Sequence, residues 1–121
     1  MGNFKELKVW QKARALAIDI YRITIDSEPL SRDFGLRNQI RKSAISVVSN
    51  IAEGDESGTN KQSIRYFHIA RGSIAELVTQ LDILAEIGYI DKGKILTYIA
   101  QYELISVMLH KLVEKRRQSI N

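Results

Sequence analysis

Cysteine is absent from this 121-residue chain, and proline occurs once. Without cysteine there is no thiolate metal site, no disulfide framework and no cysteine nucleophile. That usage suits a reducing compartment, and a cytoplasmic location is expected. A single proline argues against a loop-rich scaffold. Long apolar runs are missing too: nothing approaches roughly eighteen uninterrupted apolar residues, so no membrane span is expected. The opening MGNFKELKVW places charges where a signal peptide needs an apolar run. Glu6 stands where a myristoylation signal carries Ser or Thr.

Catalytic patterns are equally sparse. A di-iron bundle needs Glu-x-x-His on two helices, but Arg65 and Val107 stand three residues before His68 and His110. No metal and no other cofactor is therefore expected. No P-loop or G-x-G-x-x-G occurs, so no nucleotide fingerprint is present. Ser46, Ser49 and Ser73 lack a nucleophile elbow or a Ser-x-x-Lys context. Glu53 and Glu76 are the one conceivable carboxylate pair. The chain is read as a non-enzyme with no catalytic residue.

What is present is helical periodicity. Trp10, Ala13, Ala17, Ile20 and Thr24 mark one face of a first helix, about residues 5–26. Pro29 and the polar SEPLSRD then break it. Leu36, Ile40, Ala44, Val47 and Ile51 mark a second, 34–53, with Gly54 placed for a left-handed C-terminal residue. Thr59 and Gln62 fit a capping box for a third, 60–87. Its Phe67, Ala70, Ile74, Leu77, Leu81 and Leu84 follow a three-four rhythm, and Gly88 ends it with Tyr89 folding back on Leu84. Asp91 caps a fourth, 91–115, after which KRRQSIN is expected to fray. Four long segments with short connections predict one all-α domain over 1–121, an antiparallel up-and-down four-helix bundle. Val9, Ile23, Ile45, Val48 and Val78 exceed one apolar stripe and point to self-association.

The formal net charge is +4. In an antiparallel bundle one end would collect Lys5, Lys8, Lys12, Lys61, Arg65, Lys111, Lys115, Arg116 and Arg117. Glu53, Asp55, Glu56 and Glu114 partly offset them, while Arg37, Arg41 and Lys42 form a separate patch. Such a cluster can neutralise phosphates. The plain alternative is a solvated face with cations complementing helix dipoles.

Gln39, Ser43, Ser46, Asn50 and Glu53 make a polar stripe beside the apolar one on the second helix. Small residues allow close approach, and the expected neighbour is ARGSIAE on the third helix, with Gly72 and Ser73 at its centre. Glycine inside a helix costs about 1 kcal/mol against alanine, so close packing is the expected reason for Gly72. Asn50 and Glu53 are read as staples between helices, with Arg41 or Arg71 as charge partners.

Three stretches, LKVWQKARALAIDIY, FGLRNQIRKSAISVVSNIAEG and YFHIARGSIAELVTQLDIL, resemble the bacterial four-helix-bundle family encoded by intervening sequences in 23S ribosomal RNA genes. The similarity runs from Phe4 to about Leu112. Its most specific parts are Gln39-Ile40-Arg41, the run from Ser49 to Gly54, and Ala70-x-Gly72-Ser73-x-x-Glu76-Leu77, in which Arg71 lies. The resemblance implies a bundle without known enzymatic activity and a homopentameric ring. It also implies association with RNA or DNA, or with a partner protein such as a reverse transcriptase, as for a relative serving diversity-generating retroelements. Val48 stands where the family often has proline, and Asp55 and Glu56 where a basic residue often follows Gly54.

Overall fold

The computed structural model of the chain describes residues 2–120. Apart from a 3₁₀ turn at Phe4–Glu6 its elements are α-helices: α1 Lys8–Asp26, α2 Glu28–Arg32, α3 Phe34–Glu56, α4 Asn60–Glu86 and α5 Lys92–Ile120. No described helix is long and apolar enough to cross a membrane.

Local chemistry sets most helix ends. The Thr59 hydroxyl accepts from the Gln62 N–H at 3.2 Å, and Asp91 Oδ2 accepts from the Lys94 N–H at 3.1 Å. Gly88 adopts φ 81°, and the Tyr89 N–H reaches back to the Leu84 carbonyl at 3.3 Å. This is the expected glycine stop, in which a left-handed residue lets the chain satisfy an orphan carbonyl.

Four boundaries differ from the sequence expectation. The first helix begins at Lys8 rather than about residue 5, because Phe4–Glu6 form a 3₁₀ turn and Leu7 is extended. The SEPLSRD break contains the short helix α2, because Ser27 caps Leu30 at 3.3 Å and Pro29 falls within its first turn. Proline is tolerated there because first-turn N–H groups have no helical partner. Helix α3 does not stop at Gly54 but runs on to Glu56, so Gly54 is helical. Helix α5 continues through KRRQSI to Ile120, so these residues are helical rather than frayed.

The four long helices pack α1 on α3, α3 on α4, α4 on α5 and α5 back on α1. The diagonal pairs α1–α4 and α3–α5 make no close backbone contact among the described residues. Thr24 near the end of α1 meets Arg41 early in α3, Ser46 meets Ser73 while Gly54 meets Ser63, and Arg71 meets Ser106 while Ser63 meets Arg116, so neighbouring helices run in opposite chain directions. The result is an up-down-up-down bundle. Ile20, Ile40, Ile51, Phe67, Leu77, Leu81, Ile105 and Leu109 meet in one core. Fully burying a side chain of this size is worth about 1.5–3 kcal/mol, which makes this core the main source of stability.

The surplus apolar residues are not the ones expected. Val9 and Ile23 are buried in the chain's own core, and Val48 and Val78 pack partly against it. Of the five only Ile45 is exposed, because the real helix faces are wider than a single stripe.

Candidate nucleic-acid interface

Antiparallel packing brings the start of α1, the end of α3, the start of α4 and the end of α5 to one end of the bundle. The predicted cations at that end fall into separate groups.

One group lies along the α1–α5 seam. Here α1 packs less closely than it does on α3, and grooves remain. Lys8, Lys111 and Lys115 surround a groove of about 310 Å³ floored by Leu7, Val9, Met108 and Leu112. Lys12 lines the next hollow along the same seam, beside Leu16, Asp19 and Leu104. All four lysines are exposed. Their aliphatic stems can cover the apolar floor while the ammonium groups stay in water. Lys5 sits just before α1 and is also exposed; its carbonyl accepts from Gln11 Nε2 at 2.8 Å.

Lys61 and Arg65 share the end but not the seam, because they sit on α4, diagonal to α1. Arg117 is exposed but pairs with Glu114 at 2.9 Å.

Arg116 belongs to the interior of the end rather than to its surface. Its Nη1 donates to Ser63 Oγ at 2.9 Å, and its Nη2 donates to Asp55 Oδ1 at 3.4 Å. Its guanidinium carbon lies 5.8 Å from the centre of the Phe67 ring. Ser63 in turn donates to the Gly54 carbonyl at 2.6 Å. Asp55 is buried, and its Oδ2 has no hydrogen-bond partner among the described residues. The acid that the sequence placed opposite the surface cations is thus consumed internally by one of them.

The second predicted patch is also engaged. Arg41 Nε donates to Thr24 Oγ1 at 2.7 Å, and its guanidinium carbon stands 4.7 Å from the Tyr21 ring centre. Arg37 donates to the Ser31 carbonyl at 3.0 Å and stacks on Phe34. Lys42 is exposed.

The polar stripe on α3 works differently from the reading of Asn50 and Glu53 as staples. The cross-helix bond is Ser46 Oγ to Ser73 Oγ at 2.8 Å. Asn50 Nδ2 donates to the carbonyl and hydroxyl of Ser46 within the same helix, at 2.8 and 3.1 Å. It orients Ser46 rather than bridging to α4. Glu53, Gln39 and Glu76 are exposed, and Arg71 reaches Ser106 at 3.4 Å. Close approach occurs at Gly54, where an added Cβ would lie 2.5 Å from Phe67 Cε1. At Gly72 an added Cβ would meet nothing within 4 Å, so packing among the described residues does not account for that glycine.

Sequence reasoning missed the Asp55–Ser63–Arg116 network. A signal existed: Asp55 follows Gly54 directly, and a helix that ran one turn further would carry it inward. His68 and His110 are exposed, and no cluster of three or more metal-binding side chains stands together among the described residues.

The model of the 23S rRNA-intervening sequence protein family matches residues 5–111. The chain belongs to that family. No curated protein matches it at a significant level. A solved structure from Bacteroides thetaiotaomicron VPI-5482, described as a protein with unknown function from the S23 ribosomal protein family, has the same fold. It is 21% identical, with a TM-score of 0.79, and the match covers 87% of this chain and 97% of that one. At that identity the likeness between the two chains concerns the fold alone. Neither the family description nor the neighbour indicates a catalytic family.

Proposed function

We propose that this family member is a non-enzymatic, self-associating bundle that binds RNA through the lysines of the α1–α5 seam. The observation that carries the reading is the set Lys8, Lys12, Lys111 and Lys115, exposed along one groove line. Asp55, the one buried acid among the described residues, is already matched by Arg116, and Asp19 is the one carboxylate lining the two hollows beside these lysines. A line of flexible ammonium groups suits a phosphate backbone, which is recognised by charge and spacing rather than by base identity. Uncovered apolar side chains such as Ile25, Ile45 and Ile83 support self-association, and the homopentameric ring implied by the family resemblance is the assembly proposed. A protein scaffold with no direct nucleic-acid role is the second reading, favoured by the apolar floor beneath the lysines.

Binding of a structured RNA measured across a salt series tests the first reading. Affinity should fall steeply and log-linearly with salt. Affinity that stays flat would exclude phosphate contacts and favour the scaffold.

A further inference from the structure

Two outward surfaces of the bundle carry apolar side chains that the fold leaves uncovered; the first is lined by cations, and the second is acidic over its C-terminal half, past Arg65. The first is a groove between α1 and α3, of about 500 Å³. Trp10, Tyr21, Ile25 and Ile45 line it together with Arg14 and Arg22, and no carboxylate does among the described residues. An adjoining hollow that shares Tyr21 and Ile45 adds Arg41 and Lys42. Ile25 is 61% exposed and Ile45 50%.

The second surface is the outer face of α4. Ile69, Gly72, Glu76 and Ile83 are all exposed, and their three-, four- and seven-residue steps put them on one side of the helix. From Ala75 to Asp91 the chain carries Glu76, Asp82, Glu86 and Asp91 and no lysine or arginine. Gly72 lies in the middle of this surface. Glycine weakens a helix interior relative to alanine, yet no described residue occupies the space that its missing side chain leaves. A flat seat for a surface from outside the chain accounts for it.

We propose that the α1–α3 groove of one copy receives the outer face of α4 of a second copy. The inference rests on the self-association reading and gives it a surface. Arg14, Arg22 and Lys42 face Glu76, Asp82 and Glu86, so the encounter is steered and its orientation fixed by charge. Ile25, Ile45, Ile69 and Ile83 supply apolar area on both sides. Helices α1 and α4 lie on the diagonal of the bundle, so the groove and the ridge are different surfaces of one molecule. Each copy therefore offers its groove to one neighbour and its ridge to another. Contacts of that heterologous kind close into rings when the rotation permits.

Ile45→Asp and Ile83→Asp test the pairing. Both positions are about half exposed, so both variants should melt like the wild type by circular dichroism. By analytical ultracentrifugation the wild type should be an oligomer and each variant a monomer. An equal mixture should form a 1:1 dimer of twice the monomer mass, because one variant keeps its ridge and the other its groove. Gly72→Arg, at a position with open space around it, should behave like Ile83→Asp. If the wild type assembles while Ile83→Asp and Gly72→Arg assemble equally well, or if the mixture stays monomeric, the pairing is wrong. A monomeric wild type would overturn the self-association reading itself, and the pairing with it.

Discussion

The guanidinium of Arg116 stands 3.4 Å from the carboxylate of Asp55, a side chain only 7% exposed at the basic end of the bundle. The pair separates the cations that hold this end together from those that can meet a ligand. Arg116 also holds Ser63, which bonds to the Gly54 carbonyl, so three helices converge on it.

Arg116→Ala should therefore destabilise the fold. It leaves a buried carboxylate without its partner, which in a fully dry site costs about 3–5 kcal/mol. The arginine is 27% exposed and the contact is long, so a loss of about 1–3 kcal/mol is expected here. Urea denaturation measures it. Asp55→Asn in the Arg116→Ala background should recover part of the loss, because it removes the stranded charge.

Two glycines separate cleanly. Gly54→Ala should destabilise the chain, since the new Cβ would lie 2.5 Å from the Phe67 ring and the core must shift. Gly72→Ala meets open space and should stabilise by about 0.5–1 kcal/mol through helix propensity. Thermal melts at dilutions that keep the chain monomeric compare them. The opposite order would contradict the packing described at both sites.

These two sites also show where sequence reasoning succeeded and failed. The long helices and their caps were legible because Thr59, Asp91 and Gly88 act on neighbours within a few residues. The core stripe of α4 was legible because periodicity alone fixes a helix face. Which glycine another helix approaches was not legible, because both lie between polar or charged neighbours, Glu53 and Asp55 for one and Arg71 and Ser73 for the other. Only the register of α3 on α4 puts Phe67 over Gly54 and leaves Gly72 open. The candidate site was partly legible. Counting charges pointed to one end of the bundle, but Arg116 there, and Arg37 and Arg41 elsewhere, are engaged with Ser63, Ser31 and Thr24. Such pairings depend on tertiary geometry that a charge count does not contain.

Ser46 and Ser73 should be energetically coupled through their 2.8 Å bond. Each alanine variant alone removes this bond from a partly buried place, at a cost of about 0.5–1.5 kcal/mol, with Ser46 still accepting from Asn50 when Ser73 is lost. The double variant should cost less than the sum, and a double-mutant cycle reads the difference. Asn50→Ala should cost less than Ser73→Ala, because its bonds stay within α3.

Tyr102 is fully buried and its hydroxyl has no partner among the described residues. Burial, and then the negative charge of Asp19, hold its phenol above the ordinary value of 10.0. The folded state thus keeps a proton that the unfolded state loses first. Stability from this group is complete below pH 10.0 and declines as the pH rises beyond it. Tyr102→Phe should blunt the alkaline loss. It should also stabilise at neutral pH by up to about 1 kcal/mol, since it removes an unsatisfied buried hydroxyl. Denaturation midpoints at neutral pH and above pH 10 check both effects.

The functional account stands or falls on the seam lysines. The decisive measurement is the salt dependence of RNA binding for Lys8→Gln, Lys111→Gln and Lys115→Gln combined, against the wild type. Removing one lysine that neutralises a phosphate should reduce the log–log slope by about 0.7–0.9. The account predicts weaker binding with a slope shallower by about 2–3, and an unchanged melting curve. A slope equal to that of the wild type would contradict it.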